Sequence, residues 1–486
     1  MPGMINRTTT YSFLGLCVFW TASLFVVLFH ALPLSELRKD FIPGYSGVEM
    51  ITDEDANPRF MPWEPLEKNL SLDGMLARLC EDTGHDAQCY LASSARFRIF
   101  TANHTMVRSD GTSYVLERNA LPVPIESITS QVLSDRLNLI SQWAQSNIRI
   151  DDTLPYVYEP SSDTYPPGDY IIRQLLTIQG LFTAAQSQND QALMDVAHRA
   201  ESRILGIYYH DYGPDQAYVS DYDGSVPLGD SALAVLMMRA HESATPITDK
   251  EHRLAEYMMS MQRADGSFQT FLHSATSTED DKFYSGEVLT ALARLDAVQP
   301  NPRYKQAIQR GFEYYRALLQ NDFQPQYAPW HMQAYAQAYE NTHNQEYADY
   351  VYWLADGLID TMLDHDSRAL PDEVGRFFNP EYPDWGPPHS ASTSIYVEGL
   401  TYAYALAKAQ GDTARTNRYL SAILAGTRAL LLVQWTPESA YYISDPSRVV
   451  GSFKVTLTNN RGRLDQTGHS ANALAQVKYI LDNLVK

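Results

Sequence analysis

Residues 283–320 read FYSGEVLTALARLDAVQPNPRYKQAIQRGFEYYRALLQ, and this stretch decides the fold. It contains two predicted helices, 283–297 and 302–319, joined by the short segment AVQPN. The second helix places apolar side chains on one face at helical spacing, namely Tyr304, Ile308, Phe312, Tyr315 and Leu319. Asn301 before Pro302 is typical of a helix start. Because a short joint forces two helices to lie antiparallel, the stretch predicts a helical hairpin.

The same pattern continues through most of the chain. It predicts twelve helices, at 131–148, 168–186, 190–205, 228–242, 247–260, 283–297, 302–319, 327–340, 344–362, 392–410, 412–432 and 467–484. Short joints alternate with long loops; the long loops are 206–227, 261–282, 363–391 and 433–466. The segment 320–326 is the one short exception to this alternation.

The alternation predicts a mostly α fold, an (α/α)6 toroid spanning residues 131–486. Six hairpins close into a ring if 131–148 packs back onto 467–484, and the long loops then gather on one face around a central cavity. An open helical-repeat solenoid is the alternative, although such repeats usually have a more constant length.

Composition narrows the classes of function. The 486 residues carry a formal net charge of −21, with 44% hydrophobic and 20% charged residues. This is typical of a folded protein. The acidic balance argues against nucleic acid as a partner, since phosphate binding depends on Lys and Arg. The 32 Tyr, 17 Phe and 7 Trp residues indicate an unusually aromatic chain.

The N-terminus predicts a membrane anchor. Residues 11–34 hold more than 20 predominantly apolar residues without a charge, enough to cross a bilayer as a helix. We therefore expect a cytoplasmic tail at 1–10, an uncleaved transmembrane signal anchor at 11–34, and a Pro-containing extended tether at 35–72. The bulk of the chain would then be periplasmic or extracellular, with other envelope proteins as further partners.

Residues 73–130 predict a small β-containing element, because ARFRIFTANHTMV and SYVLER alternate apolar with polar residues around SDGT. Cys80 and Cys89 are spaced as one disulfide in an oxidising compartment, with two reduced cysteines as the alternative.

The long loops and the helix starts that follow them carry the candidate site. Aromatic faces can stack on sugar rings while carboxylates and amides bind hydroxyls, so the cavity predicts a carbohydrate site. The candidate catalytic residues are Glu287, Glu398, Asp465 and His469. The candidate substrate-binding residues are Tyr209, Asp223, Asp265, Tyr284, Trp330, Trp385, Tyr396 and Arg463.

Several of these residues also have plain structural interpretations. Glu287 in a first helical turn suits the helix dipole, and Asp265 before Gly266 suits a turn. Asp230, a further acid outside the candidate set, is most simply an N-cap. Arg463 and Asp465 can form a simple ion pair. Glu398, in contrast, interrupts an apolar and aromatic helix, and a buried carboxylate there needs a partner or a role.

The hairpin pattern and the loop composition resemble the six-hairpin glycosidase class of (α/α)6 enzymes over residues 131–486. The C-terminal Arg463-x-Asp465 segment followed by His469, together with SASTSIYVEGLTYAYALA at 390–407, is similar to the C-terminal domain of glucuronyl C5-epimerases. The resemblance implies a site at the centre of the toroid that acts on a glycan.

The preferred hypothesis is a membrane-anchored glycoside hydrolase that uses paired carboxylates on an envelope or extracellular polysaccharide. A uronate C5-epimerase, and a non-catalytic glycan-binding or scaffold subunit of a polysaccharide machine, are the alternatives. The sequence holds no GxGxxG, P-loop, HExxH or GxSxG motif, so it supports no cofactor. It identifies no metal ligands and leaves open whether a metal binds among the loop aspartates.

Overall fold

The computed structural model describes residues 19–27, 31–52, 57–241, 245–274, 281–365, 370–389 and 391–484. Its N-terminal part is a small sheet packed on a short helix. The elements are β1 (Phe19–Val27), α1 (Leu34–Asp40), β2 (Gly47–Met50), β3 (Arg59–Phe60), α2 (Glu64–Glu67), α3 (Leu72–Asp82), β4 (Phe97–Val107) and β5 (Ser113–Val115). The strands are antiparallel in the order β1-β4-β2-β3, with β5 also paired to β4.

The predicted transmembrane helix is wrong for the residues that the structure describes. Phe19–Val27 forms strand β1 along β4, and residues 11–18 and 28–30 lie outside the described residues. No described helix is both long and apolar enough to span a bilayer. The single-pass membrane topology predicted from this segment is corrected accordingly. The run FWTASLFVV is rich in aromatic and β-branched residues, which suit a strand where a neighbouring edge is available.

The segment 35–72 also differs from the extended tether that its prolines predict. It contributes α1, β2, β3 and α2, because Leu37, Val48 and Phe60 join Leu76 and Phe97 in a small apolar core. The predicted β-containing element is present as β4 and β5. The predicted disulfide between Cys80 and Cys89 is present as well, and it closes the end of α3 onto the following turn.

Twelve further helices of the described chain form two concentric rings. Each pair of consecutive helices is a hairpin, with one outer and one inner member. The outer and inner members are, in chain order, α4 (Ser130–Asn147), α5 (Ile171–Gln188), α6 (Gln191–Tyr208), α7 (Leu228–His241), α8 (Asp249–Ser260), α9 (Asp281–Val298), α10 (Pro302–Asn321), α11 (Ala328–Thr342), α12 (Gln345–Met362), α13 (Ala391–Ala409), α14 (Thr413–Val433) and α15 (Leu464–Asp482). The odd-numbered helices are the inner ones.

The ring is closed. Each inner helix packs against the next, and α15 packs back against α5. Glycines permit this last contact: a Cβ on Gly180 would lie 2.3 Å from the carbonyl oxygen of Gly468. The (α/α)6 toroid predicted from the hairpin pattern is therefore confirmed, and the open solenoid is excluded.

Local signals position the hairpins. Thr248 and Glu251 form a capping box at the start of α8, and the Asn301 and Asp412 side chains cap α10 and α14. The predicted apolar face of α10 is buried against the inner ring. In contrast, inner helix α7 is buried around its whole circumference from Leu228 to Arg239, as expected for a helix between two layers.

Short strands shape the long loops. The loop after α4 carries β6 (Val157–Tyr158), and a hairpin of β7 (Tyr209–Tyr212) and β8 (Gln216–Val219) follows α6. The last loop carries β9 (Lys454–Thr456) and β10 (Asn459–Arg463), which join β6 in the order β6-β10-β9. Strand β10 ends at Arg463, directly before α15, so this sheet fixes the backbone at the entrance of the last inner helix.

Candidate active site

The inner helices run parallel to one another, because each follows a complete hairpin. Their N-terminal ends therefore meet on the face where the long loops gather. Charged and aromatic side chains occur on the first two or three turns of these helices, namely Arg173, Asp230, Tyr284, Glu287, Trp330, Glu398, Asp465 and His469. Three groups of contacts organise them.

The first group is centred on Asp465, which is only 3% exposed. Arg463 binds it with two hydrogen bonds, from Nε to Oδ1 at 3.1 Å and from a terminal nitrogen to Oδ2 at 2.6 Å. A terminal nitrogen of Arg173, on α5, lies 3.4 Å from the same Oδ2. Burial alone would raise the pKa of Asp465, but the two guanidinium groups outweigh it and the pKa is lowered. Asp465 is therefore an ionised carboxylate clamped between two arginines.

The second group joins α13 to α15. His469 Nδ1 lies 2.7 Å from Glu398 Oε1, and both side chains are buried. Burial raises the pKa of Glu398, and the neighbouring His469 offsets only part of this effect. The ring of His469 lies 6.1 Å from that of Trp330, measured between centroids. Glu398 and His469 thus form a buried hydrogen-bonded pair beside an aromatic surface.

The third group is formed by α7 and α9. Asp230 is fully buried, and neither of its carboxyl oxygens has a hydrogen-bond partner among the described residues. Burial raises its pKa well above the usual range, and the charges of Asp221 and Glu287 act in the same direction. Glu287 lies against the same turn of α7, since a Cβ on Gly229 would be 2.5 Å from its Oε2. Asp230 is thus a buried carboxyl group next to Glu287, and its surroundings disfavour the charged form.

The sequence pattern does not identify two residues of this region. It predicts Asp230 as an N-cap, but Asp230 is the third residue of α7 and its carboxyl oxygens cap no backbone group of the described residues. Arg173 carries no local motif; its signal was its place in the first turn of an inner helix, equivalent to that of Asp230. The charges of Asp465, Glu287 and Tyr284 all act on its guanidinium group. Arg173 therefore connects the first group with the third.

The structure brings most predicted residues to this end of the ring. Glu287, Glu398, Asp465 and His469 all lie there, as do Arg463, Trp330 and the half-buried Tyr284. Trp385 lies in the loop that leads into α13 and stacks on Tyr382 at 4.3 Å between ring centroids, with the planes 9° apart. This stacked pair is a partly exposed aromatic surface on the same face.

Four other predicted binding residues, Asp265, Asp223, Tyr209 and Tyr396, make contacts within the local structure. The Asp265 carboxylate accepts hydrogen bonds from the backbone and hydroxyl of Ser267, in a turn that packs on outer helix α10. Asp223 likewise accepts from the backbone of Ser225. Tyr209 begins β7 and lies under Lys250.

Tyr396 is fully buried against Phe377. It belongs to the packing between α13 and its preceding loop, so we do not place it in direct contact with a ligand.

The opposite end of the ring contains a cavity. A cavity of about 880 Å³ lies between the C-terminal halves of α5, α13 and α15. Tyr402, Tyr404, Lys408, Gln476 and Tyr479 contribute to its wall. Thr401 of α13 donates a 2.7 Å hydrogen bond to Gln476 of α15 and so joins these two helices. Thr401 lies one helical turn after Glu398.

No family model and no curated protein matches the chain. Solved structures do share its fold. A family 76 glycoside hydrolase from a bovine Bacteroides thetaiotaomicron strain aligns with a TM-score of 0.56 and 8% identity, over 98% of each chain. An unsaturated glucuronyl hydrolase specific for heparin aligns with a TM-score of 0.52 and 10% identity, over 72% of this chain and 98% of the other.

A third structure is an inactive variant of an α-1,6-mannanase from Salegentibacter sp. HEL1_6 in complex with α-1,6-mannotriose. It aligns with a TM-score of 0.53 and 8% identity, over 72% of this chain and 99% of the other. At these identities the likeness concerns the fold alone. The fold is the six-hairpin glycosidase-like (α/α)6 toroid, as the sequence resemblance implied.

Proposed function

We propose that this protein is a glycan-active hydrolase whose site lies at the N-terminal ends of the inner helices. The observation that carries the proposal is the contrast between two kinds of carboxyl group at that end. Asp465 is held ionised between two arginines, whereas burial raises the pKa of Glu398 beside His469. Groups whose surroundings push their pKa values apart are suited to act as anion and acid in one reaction.

Glycoside hydrolysis needs these two roles. A protonated group must give its proton to the leaving oxygen, and an anion must activate water or stabilise the positive charge that develops on the sugar. In the proposed mechanism the Glu398–His469 pair supplies the proton, because its carboxyl is buried and its imidazole is the more exposed member. Asp465, one turn before His469 on α15, supplies the negative charge.

The neighbouring aromatic rings suit a sugar. Trp330 lies beside His469, Tyr284 is half-buried at the start of α9, and Trp385 stacks on Tyr382 at the rim. The apolar faces of pyranose rings pack on such surfaces while their hydroxyls find polar groups. The glycan names of the three structural neighbours agree with this substrate class.

The arginines favour a second candidate, an enzyme acting on an acidic glycan. The side chains of Arg173 and Arg463 are 38% and 33% exposed, so each has donors left beyond those that bind Asp465. Guanidinium groups bind carboxylates in a bidentate manner. A uronate carboxylate placed there would bring its ring towards His469. Uronate hydrolysis and C5 epimerisation both fit this placement.

The test is a panel of neutral and acidic polysaccharides, including α-1,6-mannan and unsaturated uronyl oligosaccharides, assayed for reducing ends and for C5 configuration. We expect release of reducing ends, with Asp465→Asn and Glu398→Gln each lowering kcat by about 100-fold or more. Asp384→Asn, an exposed carboxylate on the same face, is the matched control and should keep full activity.

Each variant is first shown to fold by far-UV circular dichroism. Binding of a glycan without any turnover would contradict the proposal and support a non-catalytic glycan-binding protein. Unchanged turnover in both variants would remove the catalytic roles assigned to Asp465 and Glu398.

A further inference from the structure

A compact group of potential metal ligands lies outside the proposed site. His198 and Glu201 are one turn apart on outer helix α6, and His241 is the last residue of inner helix α7. One ligand atom from each of the three residues lies within 4.8 Å of the others. Because the proposed site is at the N-terminal ends of the inner helices, this group belongs to the opposite end of the ring.

The spacing of these atoms fits a metal ion. Glu201 directs one carboxylate oxygen at each histidine: Oε2 is 3.3 Å from His198 Nδ1, and Oε1 is 3.0 Å from His241 Nε2. Zinc binds nitrogen and oxygen ligands at about 2.0–2.2 Å, so tetrahedral ligands lie roughly 3.3–3.6 Å apart. The two carboxylate–imidazole separations are close to this spacing, and all three ligand atoms lie within 4.8 Å of one another, so small side-chain rotations would let them surround an ion.

The side chains are already held in place. The ring of Phe182 packs on both imidazoles, at 4.1 Å from His241 and 4.9 Å from His198 between centroids. The two imidazoles meet edge to face, with planes 85° apart. Glu201 and His241 are mostly buried, whereas half of the His198 side chain is exposed. One side of the group thus stays open to water, which could supply a fourth ligand.

We propose that His198, Glu201 and His241 bind one zinc-like divalent transition-metal ion, with water completing the coordination. Two imidazoles and one carboxylate favour such an ion over Mg²⁺ or Ca²⁺, which prefer oxygen ligands. The ion would cross-link outer helix α6 to the end of inner helix α7. Its expected role is to stabilise the second hairpin by joining its outer and inner members, and it takes no part in the glycan chemistry.

The test uses the full chain, stripped with EDTA and dialysed, and titrated with ZnCl2 by isothermal titration calorimetry. We expect one Zn²⁺ per chain and a rise in Tm on addition of zinc, since a ligand that binds only the folded state stabilises it. His241→Ala and Glu201→Gln should each weaken binding by at least about 100-fold and abolish the rise in Tm. Co²⁺ in place of Zn²⁺ should give visible absorption bands in the wild-type chain and not in these two variants.

His252→Ala, an exposed histidine on α8, is the matched control and should bind like the wild type. His198→Ala covers the case in which His241→Ala does not fold, because the His198 side chain is half exposed. Absence of stoichiometric binding in the wild type would overturn the proposal. Equal zinc binding by the triad variants and the wild type would also overturn it, by placing the ion on other histidines.

Discussion

Closure of the ring can be tested with a single methyl group. Gly180 on α5 faces Gly468 on α15, and a Cβ at residue 180 would lie 2.3 Å from the Gly468 carbonyl oxygen. An ordinary contact needs at least 3.4 Å, so in Gly180→Ala the two helices must separate by roughly 1 Å. The obstacle is backbone, which cannot rotate away as a side chain can.

We expect Gly180→Ala to lower the free energy of unfolding, whereas helix propensity alone would raise it. Within a helix, Gly→Ala normally stabilises by about 1 kcal/mol. Overpacking of a tight contact costs about 1–3 kcal/mol, and the backbone contact places Gly180→Ala towards the upper end. The net expectation is a loss of about 2 kcal/mol in the free energy of unfolding. Gly206→Ala on outer helix α6 is the matched control, since nothing lies within 4 Å of its Cβ.

The assay is urea unfolding monitored by far-UV circular dichroism. The midpoints of the two variants and the wild type are compared with one common slope of unfolding free energy against urea concentration. We expect the midpoint to fall for Gly180→Ala and to rise slightly for Gly206→Ala. If Gly180→Ala is stabilised as much as Gly206→Ala, then α5 and α15 are not in backbone contact and the ring is not closed as described.

Three further predictions concern pH and the aromatic rim. Burial lowers the pKa of His104 to about 4, so the unfolded chain binds more protons than the folded chain as pH falls from 6.5. The free energy of unfolding of the wild type should therefore be about 2 kcal/mol lower at pH 5 than at pH 7, and His104→Gln should lack this loss. An equal loss in both proteins would refute the prediction. Burial lowers the pKa of Lys454 to about 7. Stability should therefore rise between pH 7 and pH 9 in the wild type relative to Lys454→Met, and parallel pH profiles would contradict this. If the stacked Trp385 and Tyr382 bind sugar, Trp385→Ala should raise KM by roughly 2- to 10-fold in the reducing-end assay and leave kcat nearly unchanged, whereas an unchanged KM would remove this role.

Much of the toroid could be predicted because its signals are local. The predicted helix 302–319 is observed as Pro302–Asn321, and its cap, its proline and its apolar face all lie within the segment itself. The N-terminal strand could not be predicted in the same way. Phe19–Val27 is a strand because β4, some 80 residues further on, supplies the pairing edge. An apolar run without that partner is equally compatible with a membrane helix.

The sequence pattern predicted which end of the ring most candidate residues share, but not every residue that meets there. Glu398 stood out because an acid interrupted an apolar helix, and the structure gives it a histidine partner. Asp230 and Arg173 did not stand out, since an acid or a cation near a helix start has ordinary local explanations. Only the closed ring brings their helices together. Conversely, Asp265 is an acid in a long loop, as expected of a site residue, but its carboxylate makes the hydrogen bonds of a turn.

The most direct test of the central claim is the position of a bound glycan. Crystals of Glu398→Gln soaked with an oligosaccharide that the wild type cleaves should show a sugar ring packed near Trp330, within hydrogen-bond reach of His469 and the Asp465–Arg463 pair. Sugar bound only in the cavity of about 880 Å³ between the C-terminal halves of α5, α13 and α15 would contradict a reaction at the N-terminal ends of the inner helices.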